Sequence, residues 1–384
     1  MDRPFILRGN ICIKNEYIIG KIIKNKNVEE KREQFIQVLD NNNLDLFENG
    51  YKAYIFEDEP KNINLKELNY CYGIKDYNSL INFDVIEITQ DNCIRVLYRD
   101  DSEDNAIVVT NQCNSNCIMC PDSDIVRNSK ENPAIQKLVD QIRVIPNDTK
   151  HITITGGEPG LLKNNLITVL KECKENLPNT EFLLLSNGRV FSNTDFADKV
   201  KESIPLNSRI AIPIYSNQAD LHDEITQAKG SFVQAVVGIK KLLERDIDVE
   251  IRIVVMKKNY KNLEEIAKFI SQELPKVKLV NIMAMEMTGN AYKRKEELWI
   301  NFDEASKYLY NTCVTIIKAG IMVNLYNFPL CSLDRKLYSI ARKSITDYKI
   351  RYKEECDECA AKVECGGFFN STINMKDIKV KPIK

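Results

Sequence analysis

Residues 106–121 read AIVVTNQCNSNCIMCP, and this stretch decides how the rest of the chain is interpreted. Its first five residues form an apolar run typical of a parallel strand that is buried on both faces. The run leads directly into a loop that carries Cys113, Cys117 and Cys120. A thiol cluster at the end of such a strand predicts a metal site at the C-terminal face of a barrel, where active sites on this architecture lie.

Apolar runs of the same kind recur after this stretch, with amphipathic helical segments between them. The later runs are HITIT (151–155), EFLLLS (181–186), RIAIPIYS (209–216), VEIRIVVM (249–256) and VKLVNIMAM (277–285). Six strand–helix units predict a partial (β/α)6 TIM-type barrel over residues 105–300, because a closed barrel of eight units requires about 250 residues. A doubly wound sheet is the alternative architecture.

The chain on either side of the predicted barrel has a different character. Residues 1–104 contain short β-branched and aromatic runs with one predicted helix near residues 28–39, which indicates an α+β domain. After about residue 300 we expect the strand–helix alternation to stop. Residues 301–384 are then a cysteine-rich C-terminal extension.

The composition excludes several classes of function. The 384 residues carry a formal net charge of −1, so no overall positive field points to nucleic acid or to an anionic membrane. We find no stretch of membrane-spanning length and no signal peptide at the N-terminus. The sequence therefore predicts a cytoplasmic protein without membrane or nucleic-acid partners, in which clustered cysteines bind metal rather than form disulfides.

The three thiols after the first strand are one short of the four that fully ligate a [4Fe–4S] cluster. One iron would keep an open position, as catalytic metals do. The alternatives at this point are a zinc site and a chance clustering of cysteines.

The spacing of Cys113, Cys117 and Cys120 resembles the Cys-x3-Cys-x2-Cys signature of the radical SAM superfamily. The resemblance implies that these residues hold the catalytic [4Fe–4S] cluster and that S-adenosylmethionine (SAM) binds its open iron through its amino and carboxylate groups. An electron from the cluster would then split the S–C5′ bond, and the 5′-deoxyadenosyl radical would abstract hydrogen from a substrate. Met119 stands where that family often has an aromatic residue against adenine. Methionine is apolar and adaptable enough to replace it.

The second strand ends in Gly156, Gly157, Glu158 and Pro159, similar to the GGEP motif of the same family. Glycines let the backbone approach a ligand closely, and the Glu158 carboxylate would hold the SAM ammonium group. An ordinary turn is the alternative for an isolated GGEP.

Polar residues at the later strands extend the predicted SAM site. Ser186 and Asn187 end the third strand in a way that is similar to the family, and Ser216 at the end of the fourth is expected to reach the SAM ribose. Arg252 interrupts the fifth strand, and a buried charge needs a partner. That partner is either the SAM carboxylate or a neighbouring Glu or Asp.

A second group of cysteines lies near the end of the chain. Cys331, Cys356, Cys359 and Cys365 are spaced C-x24-C-x2-C-x5-C, enough thiolates for a closed [4Fe–4S] cluster or a structural zinc site. This run resembles the auxiliary-cluster domains called SPASM and twitch, and four cysteines favour one cluster, as in twitch. Gly366 and Gly367 follow the last cysteine, where turns can direct N–H groups at sulfur.

The stretch from about 107 to 370 resembles the His-Xaa-Ser system radical SAM maturases, type C. The similar segments are IPIYSNQADLHDEITQAKGSF (212–232), VEIRIVV (249–255), EMTGNAY (286–292), LWI (298–300), YNFPLCSLD (326–334), KSITDY (343–348) and CDECAAKVECGGFF (356–369). The resemblance implies a ribosomally made peptide or small protein as substrate, including one with His-Xaa-Ser repeats. We expect His222 in this region to be structural rather than a proton carrier.

The expected partners follow from this reading. They are the substrate peptide and an electron donor such as flavodoxin or ferredoxin. Residues 1–104 would dock a leader peptide by adding its strand to a sheet edge. The alternative for these residues is a role in packing or in docking another partner. Two other functions stay open: a radical SAM enzyme for a nucleotide or small metabolite, and a non-catalytic iron–sulfur or zinc scaffold.

Overall fold

The computed structural model describes residues 3–122 and 132–384. Two sheets of eight strands organise these residues, and a two-stranded ribbon follows them. The first sheet ends before the cysteine-rich stretch at residue 106, and the second sheet begins with it.

The two edge strands of the N-terminal sheet are joined directly to each other in sequence. Its strands are β1 (Ile6–Arg8), β2 (Asn10–Cys12), β3 (Tyr17–Lys24), β4 (Phe35–Leu39), β5 (Ala53–Phe56), β6 (Tyr70–Tyr72), β7 (Val85–Thr89) and β8 (Cys93–Tyr98). Their order is β1-β8-β7-β3-β4-β5-β6-β2, so the two edge strands are neighbours in sequence. Only Gly9 separates them, and a Cβ at this position would lie 2.5 Å from the Ile74 Cδ1 atom. The sheet therefore curls into a small barrel.

Aliphatic side chains fill the interior of this barrel. Ile18, Ile22, Ile86 and Ile88 belong to one buried cluster, and their spacing in each strand fits the period of two that turns alternate residues inward. The edge available for adding a leader strand is limited to β1 and β2, which have three residues each.

The helix predicted near residues 28–39 is wrong. Arg32–Gln34 form a single 3-10 turn, and Phe35–Leu39 form β4 with all five residues buried. A strand forms because β4 lies between β3 and β5, and both parallel partners satisfy its backbone hydrogen bonds. Among the described residues before 105, the structure is strands and 3-10 turns, which corrects the α+β expectation for this part.

The second sheet is parallel throughout. Its strands are β9 (Ala106–Thr110), β10 (His151–Gly156), β11 (Glu181–Leu185), β12 (Ser208–Pro213), β13 (Asp248–Val255), β14 (Leu279–Ala284), β15 (Met322–Tyr326) and β16 (Ala341–Arg342). They follow one another in chain order, whereas a doubly wound sheet reverses its order partway. The partial barrel with its six predicted strands is thus confirmed. The expected end of the alternation near residue 300 is wrong, because β15 and β16 extend the sheet.

Helices connect the strands of this sheet, and most of them pack on its outer face. They are α1 (Ile135–Val144), α2 (Asn164–Asn176), α3 (Thr194–Ser203), α4 (Ala219–Thr226), α5 (Ser231–Glu244), α6 (Leu263–Glu273), α7 (Gly289–Lys293), α8 (Lys295–Leu298) and α9 (Phe302–Lys318). On β13, Ile251 and Ile253 belong to the core cluster shared with these helices. Glu250 and Arg252 alternate with them, so they face the barrel interior.

The two barrels pack through polar contacts at helix α1. The Tyr17 hydroxyl donates to Asp140 at 2.9 Å, and Lys137 forms an ion pair with Glu87 at 2.8 Å. At the other end of the chain, β17 (Ile350–Arg351) and β18 (Phe368–Phe369) form an antiparallel ribbon. No helix among residues 3–122 and 132–384 has the length and apolar character needed to cross a bilayer.

Candidate active site

The loop after β9 places the first three cysteines at the C-terminal end of the parallel barrel. Thr110 is the last residue of β9, and Cys113, Cys117 and Cys120 follow it within ten residues. All three thiols are half-buried, and a turn closes between them where the Cys120 N–H donates to the Cys117 carbonyl oxygen at 3.1 Å. The thiols are therefore presented on the face where barrel enzymes keep their active sites.

Helix α4 supports this cysteine loop through main-chain hydrogen bonds. The Asn116 N–H donates to the Thr226 carbonyl oxygen at 2.9 Å, and the Ile118 N–H donates to that of Ile225 at 3.0 Å. On the opposite side, the Asn290 N–H donates to the Cys120 carbonyl oxygen at 2.9 Å. These bonds fix the backbone on both sides of the cysteines.

The glycines of the GGEP motif lie against the cysteine loop itself. A Cβ at Gly156 would lie 2.3 Å from the Thr110 carbonyl oxygen, and one at Gly157 would lie 2.2 Å from that of Gln112. The Gly157 and Glu158 N–H groups donate to these same two oxygens at 2.8 and 2.7 Å. The close approach that requires glycine is therefore between β10 and the segment that leads into Cys113.

Glu158 is a buried carboxylate that accepts three hydrogen bonds. Its Oε1 accepts from the Gly160 N–H and the Ser186 hydroxyl, both at 2.8 Å, and its Oε2 accepts from the Asn187 N–H at 2.6 Å. Burial raises its pKa, and these donors act in the opposite direction. The carboxylate ties the ends of β10 and β11 together, and Pro159 starts the 3-10 turn that follows.

Asn187 and Arg189 bind the cysteine loop from the end of β11. The Asn187 amide donates to the Asn114 Oδ1 atom at 2.6 Å. The Arg189 guanidinium donates to the Asn114 carbonyl oxygen at 2.6 Å and to the Ser115 hydroxyl at 3.2 Å. Arg189 was missed by the sequence analysis, since its partners lie 74 and 75 residues earlier in the chain.

An apolar cluster lies beside the cysteine loop. Met119 is 6% exposed and packs in this cluster with Tyr215, Met256, Met285 and Met287. Burial raises the pKa of Tyr215 well above its usual value, and thiolate charge at Cys117, Cys120 and Cys113 raises it further. Tyr215 thus belongs to the apolar surface beside the cysteine loop.

Ser216 and Arg252 have partners within the protein. Ser216 is fully buried, and its Oγ accepts a hydrogen bond from the Gln218 N–H at 2.9 Å. The Arg252 Nε donates to the buried Glu250 carboxylate at 2.7 Å, so the structure brings Arg252 to a neighbouring carboxylate, the second of its two expected partners. Arg252 also lowers the pKa of Tyr215, against the effect of burial.

The segment around His222 organises helices α4 and α5. The His222 Nδ1 accepts from the Tyr215 N–H at 3.3 Å, and burial lowers the pKa of His222 to about 4. Asp223 accepts from the Gly230 and Phe232 N–H groups at 2.5 and 2.9 Å. This carboxylate caps the start of α5, which explains the residue pattern of the segment.

The four C-terminal cysteines line one small cavity with apolar walls. The cavity contacts Cys331, Cys356, Cys359 and Cys365, together with Leu330, Phe368 and Ile383. Backbone N–H groups point at two of the sulfurs. Those of Leu330 and Gly367 donate to the Cys365 Sγ at 3.4 Å, and that of Ile383 donates to the Cys359 Sγ at 3.3 Å.

The donor set of this cavity fits an iron–sulfur cluster. Such clusters are held by four thiolates, and hydrogen bonds to their sulfurs tune them. Burial raises the pKa of Cys331 and of Cys356, and the neighbouring thiols raise both further. Negative charge on these thiolates is therefore unfavourable in the free protein, and a bound metal cation would stabilise it. Within the described residues, no three His, Cys, Asp or Glu side chains are arranged as a site for a single metal ion.

Comparison with known proteins identifies the region around the first cysteine loop. Residues 107–270 match the model of the Radical SAM superfamily. The chain is 28% identical over 165 residues to an uncharacterised protein of Methanocaldococcus jannaschii, covering 42% of this chain and 56% of that protein. It is 29% identical over 168 residues to the sporulation killing factor maturation protein SkfB of Bacillus subtilis, covering 43% and 38%. The matched stretches thus span about half or less of these relatives.

Two solved structures match this chain at lower sequence identity. Streptococcus suis SuiB bound to precursor peptide SuiA has a TM-score of 0.47 and 14% identity, covering 57% of this chain and 48% of SuiB. Native anSMEcpe with bound AdoMet and a Cp18Cys peptide has a TM-score of 0.45 and 14% identity, covering 57% and 62%. The family match confirms the radical SAM region predicted from Cys113, Cys117 and Cys120 over residues 107–270, and the narrower resemblance to type C maturases stays a prediction.

Proposed function

Since this chain carries a radical SAM domain over residues 107–270, we propose that it reductively cleaves SAM and uses the resulting radical to modify a ribosomally made peptide. The observation that carries the proposal is the support of the cysteine loop on three sides, by α4, by Asn290 and by Arg189. A loop held this way can position a cluster with little reorganisation.

Cys113, Cys117 and Cys120 hold a [4Fe–4S] cluster in this proposal. When bound, the cluster supplies the electron that splits the S–C5′ bond of SAM and so gives the 5′-deoxyadenosyl radical. The chain's own residues bind and orient SAM and the substrate, and they exclude water from the site. The apolar cluster with Met119 and Tyr215 is suited to pack against the adenine and to keep water from the radical.

Glu158 is proposed to complete the charge balance of the SAM site. A carboxylate has about four acceptor positions, and three are filled by Gly160, Ser186 and Asn187. One position remains for the SAM ammonium group, which would also compensate the buried negative charge. Gly156, Gly157, Ser216 and Arg252 belong to the same proposed site, Arg252 through the guanidinium atoms that Glu250 does not use.

The second site is proposed to hold an auxiliary [4Fe–4S] cluster. Four thiolates and three N–H donors to sulfur favour it, with zinc as the alternative occupant. Such a cluster would accept the electron left after hydrogen abstraction or conduct electrons to the active site. The external donor is proposed to be a flavodoxin or ferredoxin.

A peptide substrate is proposed because SkfB is named as a maturation protein, and because the resemblance to type C maturases implies His-Xaa-Ser repeats. The test is anaerobic incubation of the reconstituted protein with SAM, dithionite and a synthetic peptide bearing such repeats. We expect a mass change in the peptide that depends on SAM. An unchanged peptide beside continued 5′-deoxyadenosine formation would instead favour the nucleotide or small-metabolite alternative.

A further inference from the structure

Residues 378–383, with the sequence IKVKPI, cross the cavity of the four C-terminal cysteines. Ile378, Val380 and Ile383 are half-buried against the core, whereas Lys379 and Lys381 are exposed. Val380 and Ile383 form part of the cavity wall. We name this segment the strap, and two of its apolar side chains are turned to the cysteines.

Polar contacts anchor the strap at both ends and in its middle. The Lys353 ammonium donates to the Ile378 carbonyl oxygen at 3.2 Å, and Lys381 forms an ion pair with Asp303 at 2.6 Å. At the far end, the Ala360 N–H donates to the Ile383 carbonyl oxygen at 2.8 Å. Lys353 and Ala360 flank the 3-10 turn Glu354–Glu358, and Asp303 lies on helix α9, so the strap is fastened to two separate parts of the chain.

The strap also contacts sulfur directly. The Ile383 N–H donates to the Cys359 Sγ at 3.3 Å. A backbone N–H that points at a thiolate stabilises negative charge on the sulfur, and this is one of the ways in which a protein sets the potential of an iron–sulfur cluster. The second is exclusion of solvent, which the apolar side of the strap provides.

We propose that the strap shields one side of the four-cysteine site and tunes the electron affinity of the cluster held there. Val380 and Ile383 of the strap wall one part of the cavity, while Cys331, Cys359 and Cys365 stay partly exposed. The strap thereby sets the reduction potential of the cluster through the Ile383 N–H group. This inference rests on the auxiliary cluster of the proposed function.

The experiment uses the full chain with Cys113, Cys117 and Cys120 all replaced by alanine, so that only the second site can hold a cluster. In this background Ile383→Pro removes the N–H donor, and Ile383→Val keeps the donor and most of the apolar contact. Midpoint potentials are measured anaerobically by dithionite titration followed by electron paramagnetic resonance. Iron release to a chelator is measured in parallel, with a further variant that lacks residues 378–384.

We expect the potential to become more negative in Ile383→Pro and to stay unchanged in Ile383→Val, because only the first loses a hydrogen bond that favours the reduced cluster. Iron release should be several-fold faster without residues 378–384. Equal potentials in the two Ile383 variants, or equal iron release with and without the strap, would overturn the inference. Zinc or no metal in the triple variant would also overturn it, while SAM cleavage by the unmodified chain would still test the proposed function separately.

Discussion

The guanidinium of Arg189 donates a hydrogen bond to the main-chain oxygen of Asn114 at 2.6 Å, between the first two cysteines of the loop after β9. The same side chain donates through Nε to Gln234 of helix α5 at 2.7 Å. Arg189 thus joins the cysteine loop to a helix on the outer layer of the barrel. Its planar fork suits two acceptors in fixed directions, which lysine cannot match.

Replacing Arg189 with alanine should loosen the cysteine loop and lower the iron content of the first site. The variant should fold, because Arg189 contributes to the loop rather than to the hydrophobic core. Iron and sulfide quantification after anaerobic reconstitution measures the effect. Arg143→Ala is a suitable control, since it breaks a surface ion pair with Glu172 on helices α1 and α2. Full iron occupancy in Arg189→Ala would show that the loop holds its shape without this contact.

Replacing Glu158 with glutamine should weaken SAM binding. A charge-assisted hydrogen bond of about 1.5–3 kcal/mol would be lost, which corresponds to a roughly 10- to 150-fold higher Kd. Equilibrium binding of SAM to the clustered protein measures it, and the exposed Glu265→Gln on helix α6 is the control. If Glu158→Gln bound SAM as tightly as the unmodified protein, the carboxylate would only connect β10 to β11.

The Cys359→Ala variant should distinguish the roles of the two clusters. We expect about half of the iron to be lost, since one of two four-iron clusters disappears. Formation of 5′-deoxyadenosine should remain measurable, whereas modification of the peptide substrate should be impaired. The buried Cys173→Ala, which lies in the core of helix α2, is the control for loss of a thiol. Unchanged product yield in Cys359→Ala would mean that the second site is only structural.

His222 should stay neutral down to about pH 4, because burial lowers its pKa to that value. In the unfolded chain a histidine binds a proton below about pH 6.5. Stability is therefore complete above pH 6.5 and decreases as the pH falls towards 4, by about 2 kcal/mol at pH 5. In the ¹³C-histidine NMR spectrum, the His222 signal should keep its neutral shift at pH 5. The chain has only two histidines, so His151→Gln assigns the signals. A protonated His222 at pH 5 would contradict the buried environment.

The sequence predicted the six strands β9 to β14 because each is a near-continuous apolar run. Strand β15, MVNLY, was missed because its inward residues Asn324 and Tyr326 are polar and interrupt that pattern. Strand β4, FIQVL, was interpreted as helix because its apolar residues do not alternate with polar ones. Its parallel partners β3 and β5 decided its structure, and pairing between distant strands is not visible in a local window.

The residues of the candidate site also include some that the sequence could predict and some that it could not. Cys113, Cys117 and Cys120 could be predicted because their spacing lies within eight residues of sequence. The contact of Ile383 with Cys359 could not be predicted, because a main-chain N–H can come from any non-proline residue. Arg189 belongs to the same class, since the fold alone brings it to Asn114.

The most direct test of the central claim is SAM cleavage by the unmodified protein and by Cys117→Ala, under anaerobic conditions with dithionite. Cys12→Ala is the matched control, since Cys12 is exposed on β2 of the N-terminal barrel. We predict 5′-deoxyadenosine from the unmodified protein and from Cys12→Ala, and none from Cys117→Ala. Equal 5′-deoxyadenosine from Cys117→Ala, or none from the unmodified protein with its iron sites filled, would contradict the assignment of Cys113, Cys117 and Cys120 as the SAM-cleaving site.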